Sequence, residues 1–227
     1  MPHERYTPQE LLGDLNDIEQ KNAPAELFAA GDIGLLRQGP RVSVVGSRKA
    51  SPEACARTRF FCRALVQHGI TVVSGLAEGI DAEAHSTAIA EGGHTIGVLG
   101  TSLDEFYPKK NRELQERMMR EQLVVSQFPV GYPSARKNFP MRNRTMALLC
   151  DATVIIEAGE KSGTLHQGWE ALRLGRLLFL MESVAKNSDL SWPQEMISYG
   201  AQVLSRENLD HVLAEIPEGV RGEAVSF

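Results

Sequence analysis

Arg41-Val42-Ser43-Val44-Val45-Gly46-Ser47-Arg48 reads as a buried strand that closes in a glycine turn and hands on a cation. Its valines show no alternation with polar residues, which suits a parallel strand covered on both faces. Working outward, the same signature recurs at Ile70–Gly75, Thr95–Gly100, Leu123–Phe128, Thr153–Ala158 and Arg176–Met181, with a weaker last candidate at Ala201–Leu204. Helical patterns fill the gaps. Ser51-Pro52-Glu53 offers an N-cap, a proline at the first helical position and an acid in the first turn. Ala54, Thr58, Phe61 and Leu65 follow at helical spacing, and His68-Gly69 ends the run. Asp81 is expected to cap a second helix that stops at Gly92-Gly93. Further helices are expected over Asn111–Glu121, Met141–Cys150 and Thr164–Leu174. Strands alternating with helices predict an α/β fold: a doubly wound, mostly parallel sheet with right-handed crossovers.

The chain has 227 residues, enough for one such domain with a small appendage. Residues 1–39 carry Pro24 and the apolar set Leu27, Phe28, Ile33, Leu35 and Leu36, and are expected to form a helical extension docked beside the first strand. Residues 40–216 form the main domain, and 217–227 read as a flexible tail. Lys and Arg number 24 against 29 Asp and Glu, a net charge of −5. That excludes a histone-like binder of duplex by bulk charge, though not a local basic site. A hydrophobic share of 42% with 23% charged excludes wholesale disorder. Cys55, Cys62 and Cys150 form no CxxC pair, so neither structural zinc nor a disulfide framework is expected, and no cofactor. No stretch approaches a membrane span; the expected setting is the cytoplasm.

Open parallel sheets bind ligands beyond their C-terminal strand ends. There the sequence places Gly46-Ser47-Arg48, then Ser74-Gly75 through Gly79 to Asp81, then Gly100-Thr101-Ser102, then Gly159 through Ser162-Gly163-Thr164. Backbone N–H groups of such loops, leading into helix N-termini, cradle anions. One glycine after a strand is commonly only a tight turn; four loops on one edge point to a phosphate. Neither GxGxxG nor GxxxxGK[ST] occurs. Asp81 reads better as a cap than as a catalytic acid, and His85 suits the cleft and the interior equally. The run Arg136-Lys137-Asn138-Phe139-Pro140-Met141-Arg142-Asn143-Arg144 sets four cations around an aromatic. That combination suits single-stranded nucleic acid, with charges on phosphates and the ring on a base. Its plain alternative is a solvated basic turn anchored by Phe139. Tyr107-Pro108 before Lys109-Lys110-Asn111-Arg112 is a further cationic segment on this edge.

Val42–Arg48, Ser74–His85, Ile96–Pro108, Asn138–Arg144 and Glu157–Leu165 together resemble the DprA/Smf family of DNA-processing proteins, in order and spacing across roughly Pro40–Leu180. The resemblance implies an extended Rossmann-like fold of the broader SLOG type and a homodimer. It also implies binding of single-stranded DNA without strong sequence preference, protection of incoming strands and help in loading a RecA-type recombinase. It implies no catalytic residue. The family's DNA pocket falls on Gly46, Ser47, Arg48, Ser74, Gly75, Gly79, Lys137, Asn138, Phe139, Arg142, Asn143, Arg144, Ser162, Gly163 and Thr164. The chain reads as a short form without full-size flanking domains, and His166-Gln167 and Met181-Glu182-Ser183 depart from the usual pattern. Two other functions stay open at this stage. One is a small-nucleotide sensor using the same cradle. The other is a LOG-like nucleotide phosphoribohydrolase, whose PGGxGTxxE signature needs a carboxylate where this chain has Gln167.

Overall fold

The computed structural model describes residues 4–216. The chain runs β1 (Glu4–Tyr6), α1 (Pro8–Leu12), α2 (Asp17–Asn22), β2 (Leu27–Gly31), β3 (Arg41–Gly46), α3 (Pro52–Gln67), β4 (Thr71–Ser74), α4 (Ile80–Ala90) and β5 (Thr95–Leu99). It continues with α5 (Arg112–Glu121), β6 (Leu123–Ser126), α6 (Asn138–Leu149), β7 (Ala152–Glu157), α7 (Thr164–Arg173), β8 (Leu177–Met181), α8 (Glu182–Ala185), α9 (Trp192–Ser198), β9 (Gln202–Leu204) and α10 (Leu209–Glu215). The nine strands form one sheet in the order β1-β2-β6-β5-β4-β3-β7-β8-β9. From β6 to β9 every pairing is parallel, while β1 and β2 run antiparallel at one edge.

The order of strands fixes where a ligand can enter. From β3 the chain winds one way through β4, β5 and β6, then crosses back to β7 beside β3 and winds the other way. Loops leaving β3 and β7 therefore diverge, and a crevice opens between their C-terminal ends. Right-handed crossovers put α3 and α4 on one face and α6 and α7 on the other; α3 packs on α4 and α6 on α7. Coverage on both sides explains the unbroken apolar runs: Val42, Val44, Val72, Ile96, Val98, Val124, Val154 and Ile155 are all fully buried.

Three expectations need correction. The first 39 residues are not purely helical. Leu27 and Phe28 lie in β2, which pairs with β6 (Phe28 opposite Ser126), so the segment closes the far edge of the sheet instead of docking beside β3 as a separate helical unit. A short strand of Leu-Phe-Ala-Ala-Gly shows too little period-two pattern to read, and its pairing is set by the open edge it covers. Second, α6 begins at Asn138, not Met141. Pro140 falls in the first turn, where its missing N–H is not needed, so it does not stop the helix. Arg142 and Arg144 thus sit inside the helix. Third, Asp81 does not cap α4: the cap position is Gly79, at φ +73°, and Asp81 lies within the first turn. The expected tail, 217–227, lies outside the described residues.

Candidate nucleic-acid interface

Where β3 and β7 part, a cavity of about 580 Å³ opens. Three loops and the start of α6 build it, and a carboxylate braces each of the three loops. The Ser47–Ser51 loop is held by Glu157 at the end of β7. Its carbonyl accepts from Ser47 N at 2.8 Å, and its carboxylate accepts from Ser51 N at 3.2 Å and Ser51 Oγ at 2.6 Å. Asp81 takes Gly75 N at 3.2 Å and Ala77 N at 3.3 Å. Glu160 reaches away from the cavity to Ser191, accepting from its backbone N and, at 3.0 Å, from its Oγ. Gly79 lets the first two loops cross: a Cβ there would stand 2.2 Å from Ser47 O, and its φ is positive.

Four cations, Arg48, Lys49, Arg142 and Lys161, line this cavity against one carboxylate, Asp81. An acidic chain thus carries a local positive site. Arg48 is exposed, and its guanidinium lies 5.5 Å from the Phe139 ring centroid, a cation–π distance. Phe139 in turn sits where Gly100 makes room for it, since a Cβ on Gly100 would come within 2.6 Å of the ring. Ser47 Oγ and Ser162 Oγ accept from Lys49 N and Thr164 N, which shapes the turns and leaves each hydroxyl hydrogen for a ligand. Thr164 Oγ1 donates to Gly46 O at 3.1 Å and ties the start of α7 to the end of β3.

Of the fifteen residues expected to form the pocket, Gly46, Ser47, Arg48, Phe139, Arg142, Asn143, Ser162, Gly163 and Thr164 line the cavity. The other six do not, for identifiable reasons. Ser74 is buried and donates its hydroxyl to Val44 O. Gly75 provides space for Arg142, whose Nη1 would stand 2.0 Å from a Cβ there. Asn138 is buried and donates to Pro133 O. Gly79 serves the loop crossing described above. Arg144 pairs with Glu170 at 3.3 Å. Lys137 is exposed at the cap position of α6, two residues before Phe139, and does not line the cavity.

Arg142 forms the floor. It is 5% exposed; Nη1 donates to Gly75 O and to Val98 O (2.8 Å), and Nε to Asn143 Oδ1 (3.0 Å). Burial works against its charge and Asp81 supports it, while burial pushes the Asp81 carboxyl above the ordinary range and Arg142 opposes that. Asn143 passes the support on through Nδ2 to Gly163 O at 3.2 Å. His85 proves to be interior. Thr95 Oγ1 donates its one hydrogen to Val72 O, so at 2.7 Å it accepts from His85 Nδ1–H, which assigns the tautomer. Burial lowers the His85 pKa to about 3.

Lys49, Lys161, His166 and Gln167 also line the cavity and were not on the expected list. Lys49 and Lys161 adjoin Arg48 and Ser162 in the sequence, which was the available signal. Gln167 is fully buried, donating to Ser43 Oγ and Thr153 Oγ1 at 3.2 and 3.3 Å. The carboxylate next along the helix, Glu170, holds Arg144 and Arg173.

Fold and site define a Rossmann-like protein with a cation-lined cavity at the switch point of its sheet. A sequence model of the DNA recombination-mediator protein A family matches residues 2–217, and the chain belongs to that family. Protein Smf of Synechocystis is 38% identical over 214 residues, 91% of this chain and 54% of its own length; the chain spans about half of that relative. The X-ray structure of DNA processing protein A (DprA) from Streptococcus pneumoniae superposes with TM-score 0.78 at 32% identity, over 94% of this chain and 74% of that one. DNA processing protein A from Helicobacter pylori, described for its single-stranded DNA binding mode, has TM-score 0.80 at 24% identity, over 94% and 97% of the two chains, and shares the fold. No helix among the described residues is long and apolar enough to cross a membrane.

Proposed function

We propose that this chain binds single-stranded DNA with little sequence preference, shields exposed or incoming strands, and assists loading of a RecA-type recombinase as a homodimer in the cytoplasm. One observation carries the reading: an exposed guanidinium over an aromatic ring, Arg48 on Phe139, at the mouth of a cation-lined cavity in an acidic protein. Charge takes the phosphates, and the ring takes a base of any identity. The name of the family and the description of the Helicobacter pylori relative's binding mode support it. Free Cys55, Cys62 and Cys150 accord with a reducing compartment. The role is binding, not catalysis: the position of the LOG carboxylate is Gln167, a buried amide that neither gives nor takes a proton. A cavity of about 580 Å³ also suits a small nucleotide, the second reading.

Fluorescence polarisation with labelled oligo-dT, matched duplex and free nucleotide as competitor tests this. Single strand is expected to win over both. Arg48→Ala and Lys137→Ala should each weaken oligo-dT binding by about tenfold or more and flatten the salt dependence by roughly 0.7 in log–log slope. Equal affinity for duplex rejects the proposal. Full competition by a mononucleotide transfers the site to the sensor reading.

A further inference from the structure

We propose that the hollow walled by Phe106, Tyr107, Lys109 and Arg112 is a second base-stacking subsite for the same strand, an inference that rests on reading the neighbouring cavity as a single-stranded DNA site. The hollow encloses about 690 Å³ and follows β5 on the same sheet edge. Tyr107 joins it to the first site. Its ring centroid lies 5.3 Å from that of Phe139, tilted by 47°, and Phe139 carries Arg48. Arg48, Phe139 and Tyr107 therefore run as one continuous platform from the cavity to the hollow. The two rings are too close to admit a base between them, so they offer adjacent faces to successive bases.

Tyr107 is 47% exposed, a large ring left in water beside a ring proposed to stack. The charges of the hollow favour a base over a phosphate. Arg112 is engaged on two sides: its guanidinium lies 4.7 Å over the Phe106 ring and its Nε donates to Glu116 at 2.8 Å. Lys110, after Lys109 in the chain but not part of the wall, is held by Glu78 at 2.8 Å. Asp104 and Glu105 complete the wall. Lys109 and Arg112 offset these two carboxylates, so the hollow carries no net charge and suits a neutral base, while the backbone of the strand follows Arg48 and Lys137.

The experiment is a length series of oligo-dT titrated at fixed salt against wild type, Tyr107→Phe, Tyr107→Leu and Phe139→Leu, with the salt slope measured for each. Wild type and Tyr107→Phe should gain affinity up to the same oligonucleotide length. Tyr107→Leu, which keeps apolar bulk but no ring, should stop gaining about one nucleotide sooner. Its affinity for long oligonucleotides should fall roughly 5- to 50-fold with an unchanged salt slope, because no phosphate contact is lost. The proposal is overturned if Tyr107→Leu matches wild type at all lengths. It is equally overturned if every length weakens together and the slope changes, which marks a distorted cavity. Failure of wild type to bind oligo-dT sinks the underlying reading instead, so the two outcomes are distinguishable.

Discussion

At the scale of the residue, the charged groups divide sharply by burial. Arg48 and Lys137 keep their heads in water, whereas Arg142 is enclosed, with Nη1 on two carbonyl oxygens, Nε on Asn143 and its charge supported by Asp81. Sequence spacing treats these arginines alike, because it counts cations without knowing which backbone they will meet. His85 gives the clearest titration. Its folded pKa near 3 lies below the ordinary 6.5, so the unfolded chain takes the proton first. The stability it contributes is complete above about pH 6.5 and is lost as pH falls towards 3, at up to about 1.4 kcal/mol per pH unit. Asp81, raised by burial, binds its proton in the folded state first and offsets part of that loss. Urea midpoints between pH 7 and 5 should fall with acid in the wild type, and His85→Gln should flatten the trend; an unaltered slope would assign it to other groups.

Among the elements, loops matter more than the strands they leave. An acid in a loop proposed to bind an anion looks counterproductive until its partner is seen: Glu160 grips Ser191, at the start of α9. This brace holds Lys161-Ser162-Gly163 in the cavity wall. Glu160→Ala removes a negative charge near the site yet is expected to weaken oligo-dT binding severalfold, about 0.5–1.5 kcal/mol, because the loop is released. Polarisation measurements showing tighter binding would mean that the charge outweighs the brace. The seven strands from β3 to β9 were legible to within two residues at either end, since continuous apolar runs have few alternatives, whereas β1 and β2 were not read as strands. The start of α6 was not, because Pro140 reads as a stop unless its place in the first turn is known.

The whole molecule depends on a contact between groups 157 residues apart in the chain. Glu19, fully buried on α2, accepts from Arg176 Nη2 just before β8, and Arg176 also reaches Leu148 O at the end of α6. Glu19 additionally closes the capping box of α2 by accepting from Asn16 N at 2.9 Å. Removing one partner strands a buried charge, so Arg176→Met should cost about 3–5 kcal/mol in urea unfolding. The double variant Glu19→Leu/Arg176→Met should recover much of it. A single variant of wild-type stability would show that the N-terminal segment is not locked in this way.

The amino-acid order alone determined the alternation of strand and helix, the glycine-bearing loops on one edge and the clustering of cations around Phe139. These are local properties, written in periodicity, caps and composition. Tertiary structure decided which cations face solvent, that Leu27 and Phe28 complete a sheet edge, and that Asp81 braces a loop. It also placed Tyr107 beside Phe139. Each of those depends on groups brought together from distant parts of the chain, and no local pattern records what will stand opposite a side chain once the sheet has formed.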